Sequence, residues 1–82
     1  MFYAYVLLSL KNGILYKGST ENIDKRVEEH NSGVSKYTSK HLPWKLLHFE
    51  EFETRSEALM KEKWFKTGVG RAWVKENFLK EN

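Results

Sequence analysis

Residues 3–18 read YAYVLLSLKNGILYKG. Positions 3–9 are aromatic and branched with almost no polar break, the pattern of a buried strand. Asn12-Gly13 follows, the strongest short hairpin signal, because a type I′ turn needs positive φ at both central positions. Residues 14–18 form the return strand. A two-residue loop sets Ser9 opposite Tyr16 and Leu7 opposite Gly18. Alternation along each strand then gathers Tyr3, Tyr5 and Leu7 on one face with Ile14 and Tyr16. Phenol groups converge on one side of the hairpin, although tyrosines on strands also serve simply as packing. A three-residue loop would change the register and separate them.

Beyond the hairpin, Ser19, Thr20 and Asn22 offer N-caps for a helix over residues 23–31, and Gly33 ends it. Residues 34–41 are a polar, basic loop. Pro43 breaks the chain before a third strand at 45–52. Thr54-Arg55-Ser56-Glu57 is a capping box that opens a helix to about residue 66. Residues 67–70 read as a turn and 71–79 as a last helix. The order is β-β-α-β-α-α, an α+β fold without repeats or low-complexity tracts.

The chain has 82 residues, enough for one domain. A domain of this size buries only about 60% of its unfolded surface, so its aromatics matter. They make up 15% of the residues, and there is no Cys, which excludes disulfides and thiolate metal sites. Residues 2–10 are too short to span a bilayer, which needs about 20 apolar residues. They also lack the basic flank and cleavage site of a signal peptide. The expectation is a soluble, cytoplasmic protein with no membrane partner. A net charge of +3 and a pI near 9.2 permit binding to a polyanion without demanding it.

Several polar residues stand where core is expected. The first helix carries Ile23 and Val27 on one stripe together with Arg26 and His30. An arginine bordering an inner face needs an anionic partner, either a structural carboxylate or a phosphate. His30 reads equally as a packed or capping histidine. The second helix presents Ala58, Leu59 and Phe65 inward with Glu62 among them. Glu62 is a candidate metal ligand, or the partner of Arg26 in a salt bridge. Phenols, a guanidinium and a carboxylate aimed at one sheet face suit phosphodiester cleavage. A carboxylate can hold a hard divalent cation, a cation can pair with phosphate oxygens, and a phenol whose pKa is lowered can take the proton of the attacking water. Lys36, Lys40, His41, Lys45 and Arg71 are the main basic positions. With Tyr37 and Trp44 among them, residues 34–44 form a candidate DNA-contacting edge, or merely a solvated loop. Gly68-Val69-Gly70 before a helix offers a phosphate site or a plain turn.

These residues resemble the GIY-YIG endonuclease superfamily, in its small single-domain bacterial branch. Tyr3-Ala4-Tyr5 stands for the first signature and Tyr16-Lys17-Gly18 for the second. Arg26, His30-Asn31, Lys36-Tyr37-Thr38, Pro43-Trp44-Lys45 and Ser56-Glu57-Ala58 with Glu62-Lys63 follow in the family's order. The resemblance implies that residues 1–82 are a single nuclease domain with a three-stranded antiparallel sheet flanked by helices. It implies Tyr16 as general base with Tyr5 beside it, Arg26 on the phosphate, and His30 assisting or orienting. It implies Glu62 as the sole protein ligand of Mg2+ or Mn2+. DNA is the implied partner, branched, flapped or damaged, with DNA repair as the setting. The chain departs from the family at Lys17, which replaces an isoleucine, and at Ser19, where relatives often carry a lysine. Alternation puts Lys17 on the face opposite Tyr16. Two alternatives to a structure-selective endonuclease are a nucleic-acid-binding module without useful catalysis and a small interaction protein.

Overall fold

Phe2–Ser9 (β1) has no polar face, and the computed structural model, which describes residues 1–79, places it at the centre of the sheet. Leu15–Thr20 (β2) and Trp44–Phe52 (β3) flank it antiparallel in the order β2-β1-β3. Ile23–Asn31 is helix α1, Arg55–Phe65 is α2 and Gly68–Phe78 is α3, so the order of elements is the one read from the sequence. Among the described residues no helix is long and apolar enough to cross a membrane.

The hairpin register differs from expectation. Ser9 hydrogen-bonds Ile14 through its backbone, Leu7 faces Tyr16 and Tyr5 faces Gly18. The loop therefore spans residues 10–13 instead of two residues. Side chains stabilise the wider loop. The Ser9 hydroxyl accepts from the backbone N–H groups of Lys11 (3.2 Å) and Asn12 (3.3 Å), and Asn12 Oδ1 accepts from Ile14 (3.2 Å). Gly13 takes the one positive φ the loop needs, +78°. The register has slipped by two positions, and side-chain alternation has period two. Tyr5, Leu7 and Tyr16 therefore remain on one face.

Each face of β1 feeds a separate core. Ala4 and Val6 pack with Phe65 of α2 and Val74 of α3, supported by Trp64 and Trp73. Tyr5 and Leu7 pack with Trp44, supported by Tyr16 and by Ile23 and Val27 of α1. Helices α1 and α2 thus lie on opposite faces, which periodicity within each helix did not reveal. Each fully buried apolar side chain contributes about 1.5–3 kcal/mol, so both thin layers matter in a chain this short.

The caps explain the helix ends. Asn22 alone caps α1, accepting from Lys25 N–H, because Ser19 and Thr20 have joined β2. Thr54 and Glu57 form the expected capping box of α2. Leu59 was expected inside, but it is 39% exposed. The inward stripe is Ala58, Glu62 and Phe65, with Lys61 at its edge. Helix α3 begins earlier than expected, at Gly68, with Thr67 Oγ1 accepting from Gly70 N–H at 3.0 Å. A Cβ on Gly70 would collide with the Trp64 carbonyl, so this glycine permits close approach of α2 and α3. Its N–H is already engaged, which removes it from the phosphate site suggested by the glycines.

Candidate functional site

The Tyr5 hydroxyl is the node of the candidate site. Tyr5 is 1% exposed and cannot leave its polar tip unpaired. His30 Nε2 lies 2.9 Å from the phenol oxygen, and Arg26 Nε donates to that oxygen at 3.4 Å. His30 is fully buried, and its Nδ1 lies 2.9 Å from Thr38 Oγ1. A guanidinium only donates. The consistent direction is therefore Tyr5 O–H to His30 Nε2, then Nδ1–H to Thr38. Burial, with Arg26 nearby, holds the imidazole pKa below its ordinary value, so the neutral ring completes this chain. Burial pushes the Tyr5 phenol up to about 12, against the opposing pull of Arg26.

Tyr16 stands beside this chain. Its ring centroid is 4.9 Å from that of His30 and 6.4 Å from that of Tyr5. Unlike Tyr5 it is only half-buried. Gly18 decides where the Tyr5 ring goes. A Cβ at position 18 would stand 2.5 Å from the Tyr5 hydroxyl oxygen. The phenol lies across the bare backbone of β2, which only glycine leaves open. The two signatures thus meet as one packing unit.

Arg26 carries the site to the surface. Its hydrogen bond to Tyr5, helped by Glu29, raises the guanidinium pKa and keeps it charged. Nη1 meets Glu29 Oε1 at 3.2 Å, with both side chains more than a third exposed. Nη2 has no partner among the described residues. Arg26 lines a cleft of about 380 Å³ that passes the open edge of β2. Ser19, Asn22, Lys25 and Glu29 line it from one side, and Arg55 and Ala58 of α2 from the other. The partner of Arg26 is Glu29, so the salt bridge to Glu62 does not form.

Glu62 comes from the face opposite α1. Its carboxylate, with 18% side-chain exposure, pairs with Lys66 Nζ at 2.9 Å, one turn along α2. It sits one turn from Ala58 on the same stripe. Its charge still reaches Tyr5, where it raises the phenol pKa slightly beside the dominant burial. Neither Glu62 nor Tyr16 lines the cleft. The structure therefore brings Tyr5, Tyr16, Arg26 and His30 together and holds Glu62 at the edge of the group. Lys17 points to the α3 side, as alternation requires. Burial first, then Arg71, Lys66 and Lys75, hold its pKa below the ordinary lysine value.

The basic positions divide. Lys36, Tyr37 and Lys40 are exposed around a 3₁₀ turn at Thr38–His41, on the Tyr5 side, whereas Lys45, exposed between Trp44 and Leu46 of β3, faces the opposite side of the sheet. Arg71 is exposed on α3, against the other face. Trp44, read as part of the contact edge, is 4% exposed. Its backbone is clamped by Asn31, which accepts from Trp44 N–H at 2.6 Å and donates to its carbonyl at 3.1 Å. In the sequence Thr38 stood only as part of the Lys36-Tyr37-Thr38 match, with no role of its own. Tertiary packing makes it the orienting partner of His30.

Residues 1–77 match the GIY-YIG catalytic domain, and the chain belongs to that family. Membership places it in the GIY-YIG nuclease superfamily. Its relatives include a UPF0213 protein of Bacillus licheniformis, 49% identical over 65 residues that cover 78% of this chain and 66% of that one. A UPF0213 protein of Pediococcus pentosaceus is 42% identical over 82 residues, covering 99% of this chain and 83% of its own. The solution structure of a UPF0213 protein from Bacillus halodurans has a TM-score of 0.54 at 30% identity, covering 93% and 84% of the two chains.

Proposed function

We propose that this chain is a divalent-metal-dependent endonuclease that hydrolyses DNA phosphodiester bonds, choosing DNA by structure instead of sequence. The observation that carries this reading is the Tyr5 hydroxyl held between His30 and Arg26, with Tyr16 against the same histidine. Arg26 is anchored through Nε and Nη1, and its Nη2 is left for a non-bridging phosphate oxygen at the cleft. Tyr5, with its pKa near 12, keeps its proton at neutral pH and serves to orient. Tyr16 is the candidate general base: as the phenolate it would take the proton of the attacking water and become the neutral phenol, with His30 packed against its ring.

Glu62 offers one carboxylate, and no group of three or more His, Cys, Asp or Glu gathers for a metal among the described residues. That donor set does not suit a tightly caged ion. It does suit Mg2+ or Mn2+, which keep several waters and lean on substrate phosphates. When bound, such an ion would polarise the phosphate and steady the leaving oxygen. As a ligand, Glu62 would exchange Lys66 for the ion. Branched, flapped or damaged DNA as substrate, DNA repair as the setting and the cytoplasm as the place belong to this reading.

The test is cleavage of branched, flapped, single-stranded and duplex DNA with Mg2+ or Mn2+, beside Glu62→Gln and Tyr16→Phe. Both variants should lose at least about a hundredfold in rate, the scale of a missing general base. Binding without metal-dependent cleavage on any substrate would reduce the protein to a nucleic-acid-binding module. Absence of binding would remove DNA from the account.

A further inference from the structure

Tyr37 belongs to the loop read from the sequence as a candidate DNA-contacting edge, and the proposed chemistry gives it no role. The residue is 51% exposed, yet its ring stands next to the candidate base, with its centroid 6.2 Å from that of Tyr16 and inclined by 32°. His41 flanks it at 5.0 Å. The backbone beneath it is braced. Thr38, the next residue, is fully buried and bound to His30 at 2.9 Å, while its carbonyl accepts from Trp44 Nε1 at 2.9 Å. The loop closes on itself through Ser39, whose N–H donates to the Ser35 carbonyl and whose hydroxyl donates to the Lys36 carbonyl, both at 2.9 Å. An exposed ring on so fixed a support loses little freedom when a ligand covers it.

The surrounding charge indicates what the ligand is. Lys36 and Lys40 are exposed beside this ring, and neither of their ammonium groups has a carboxylate partner among the described residues. A flat apolar face among unneutralised cations suits a nucleobase attached to its phosphates. In a duplex both faces of a base are already covered by its neighbours. Only an unpaired base can lie on a protein ring.

We propose that Tyr37 is a stacking platform for an unpaired nucleobase beside the scissile phosphate, which makes single-stranded or flapped DNA the preferred substrate class. This rests on the nuclease reading but is tested by binding, without cleavage. Stacking one base on an aromatic side chain changes affinity by roughly 5- to 100-fold. Fluorescence anisotropy in EDTA would compare a thymidine oligonucleotide, a flapped duplex and a blunt duplex on the native protein, Tyr37→Phe and Tyr37→Ala. Tyr37→Ala should weaken the single strand and the flap by that factor and leave the blunt duplex within about twofold, and Tyr37→Phe should bind like the native chain. A 2-aminopurine in the flap should be quenched by the native protein and by Tyr37→Phe, but not by Tyr37→Ala. Equal affinities of the native and Tyr37→Ala proteins for the flap would overturn the platform, as would equal losses on flap and duplex. A native protein that binds none of the three DNAs would instead overturn the nuclease reading beneath it.

Discussion

Gly18→Ala adds one methyl where Tyr5 already lies. The new Cβ would stand 2.5 Å from the phenol oxygen and 2.7 Å from Cζ, far inside the ordinary carbon contact of about 3.5–4.0 Å. Tyr5 has no cheap way to yield. Its ring is 1% exposed and its hydroxyl is held by His30 and Arg26. Two effects oppose each other. Glycine to alanine at a compatible site stabilises by about 0.4–1 kcal/mol, through the unfolded chain. Overpacking costs about 1–3 kcal/mol, and stripping buried His30 of its partner adds about 1–3 kcal/mol. The collision wins, with a net loss of about 1–5 kcal/mol. At about 4–8 °C per kcal/mol for a domain of this size, Tm should fall by at least about 4 °C. Tyr5→Leu removes the atoms that collide, so Gly18→Ala should cost less in that background. Thermal melts of the native chain, both single variants and the double variant complete the cycle. A Gly18→Ala protein that melts at or above the native temperature would refute the reasoning. So would an equal cost in both backgrounds.

Two further predictions concern pH. Neutral His30 is favoured in the fold, so the unfolded chain binds more protons below its ordinary pKa of about 6.5. Stability should be complete above that pH and decline as pH falls below it. Urea midpoints at pH 7.5, 6.5 and 5.5 check this, with the decline shallower in His30→Gln. Tyr5 has the opposite dependence, because its folded pKa of about 12 exceeds the ordinary 10. Its contribution is complete below pH 10 and lost as pH rises toward 12, by about 2–3 kcal/mol for a shift of two units. Urea midpoints between pH 9.5 and 11.5 should show that slope in the native protein and not in Tyr5→Phe.

Local signals carried much of the fold. The unbroken apolar run at β1, the Thr54 capping box and the glycines beside the turns are short-range chemistry, legible without neighbours. The element order followed from them. The hairpin register did not, because Ser9 and Asn12 side chains stabilised a loop two residues wider than Asn12-Gly13 suggests. Parity survived the slip, and the shared face of Tyr5 and Tyr16 survived with it. Leu59 and the start of α3 were misjudged for a related reason. Helical periodicity marks a stripe, but the width of the buried part depends on what packs against it.

By itself, the sequence determined which chemical groups are present, on which elements, and that β1 is buried. Only the tertiary structure decided how those groups face one another. Helix α1 and helix α2 each have an inward stripe, and nothing in either stripe says which side of the sheet it covers. That depends on the paths of the connecting loops and on which face of β1 can fill its core. The fold sent them to opposite faces, gathering Tyr5, Tyr16, Arg26 and His30 on one and putting Glu62 with α2 on the other. It also buried Trp44, exposed Tyr37 and recruited Thr38 to orient His30, because contacts between residues distant in the chain exist only once the chain has folded.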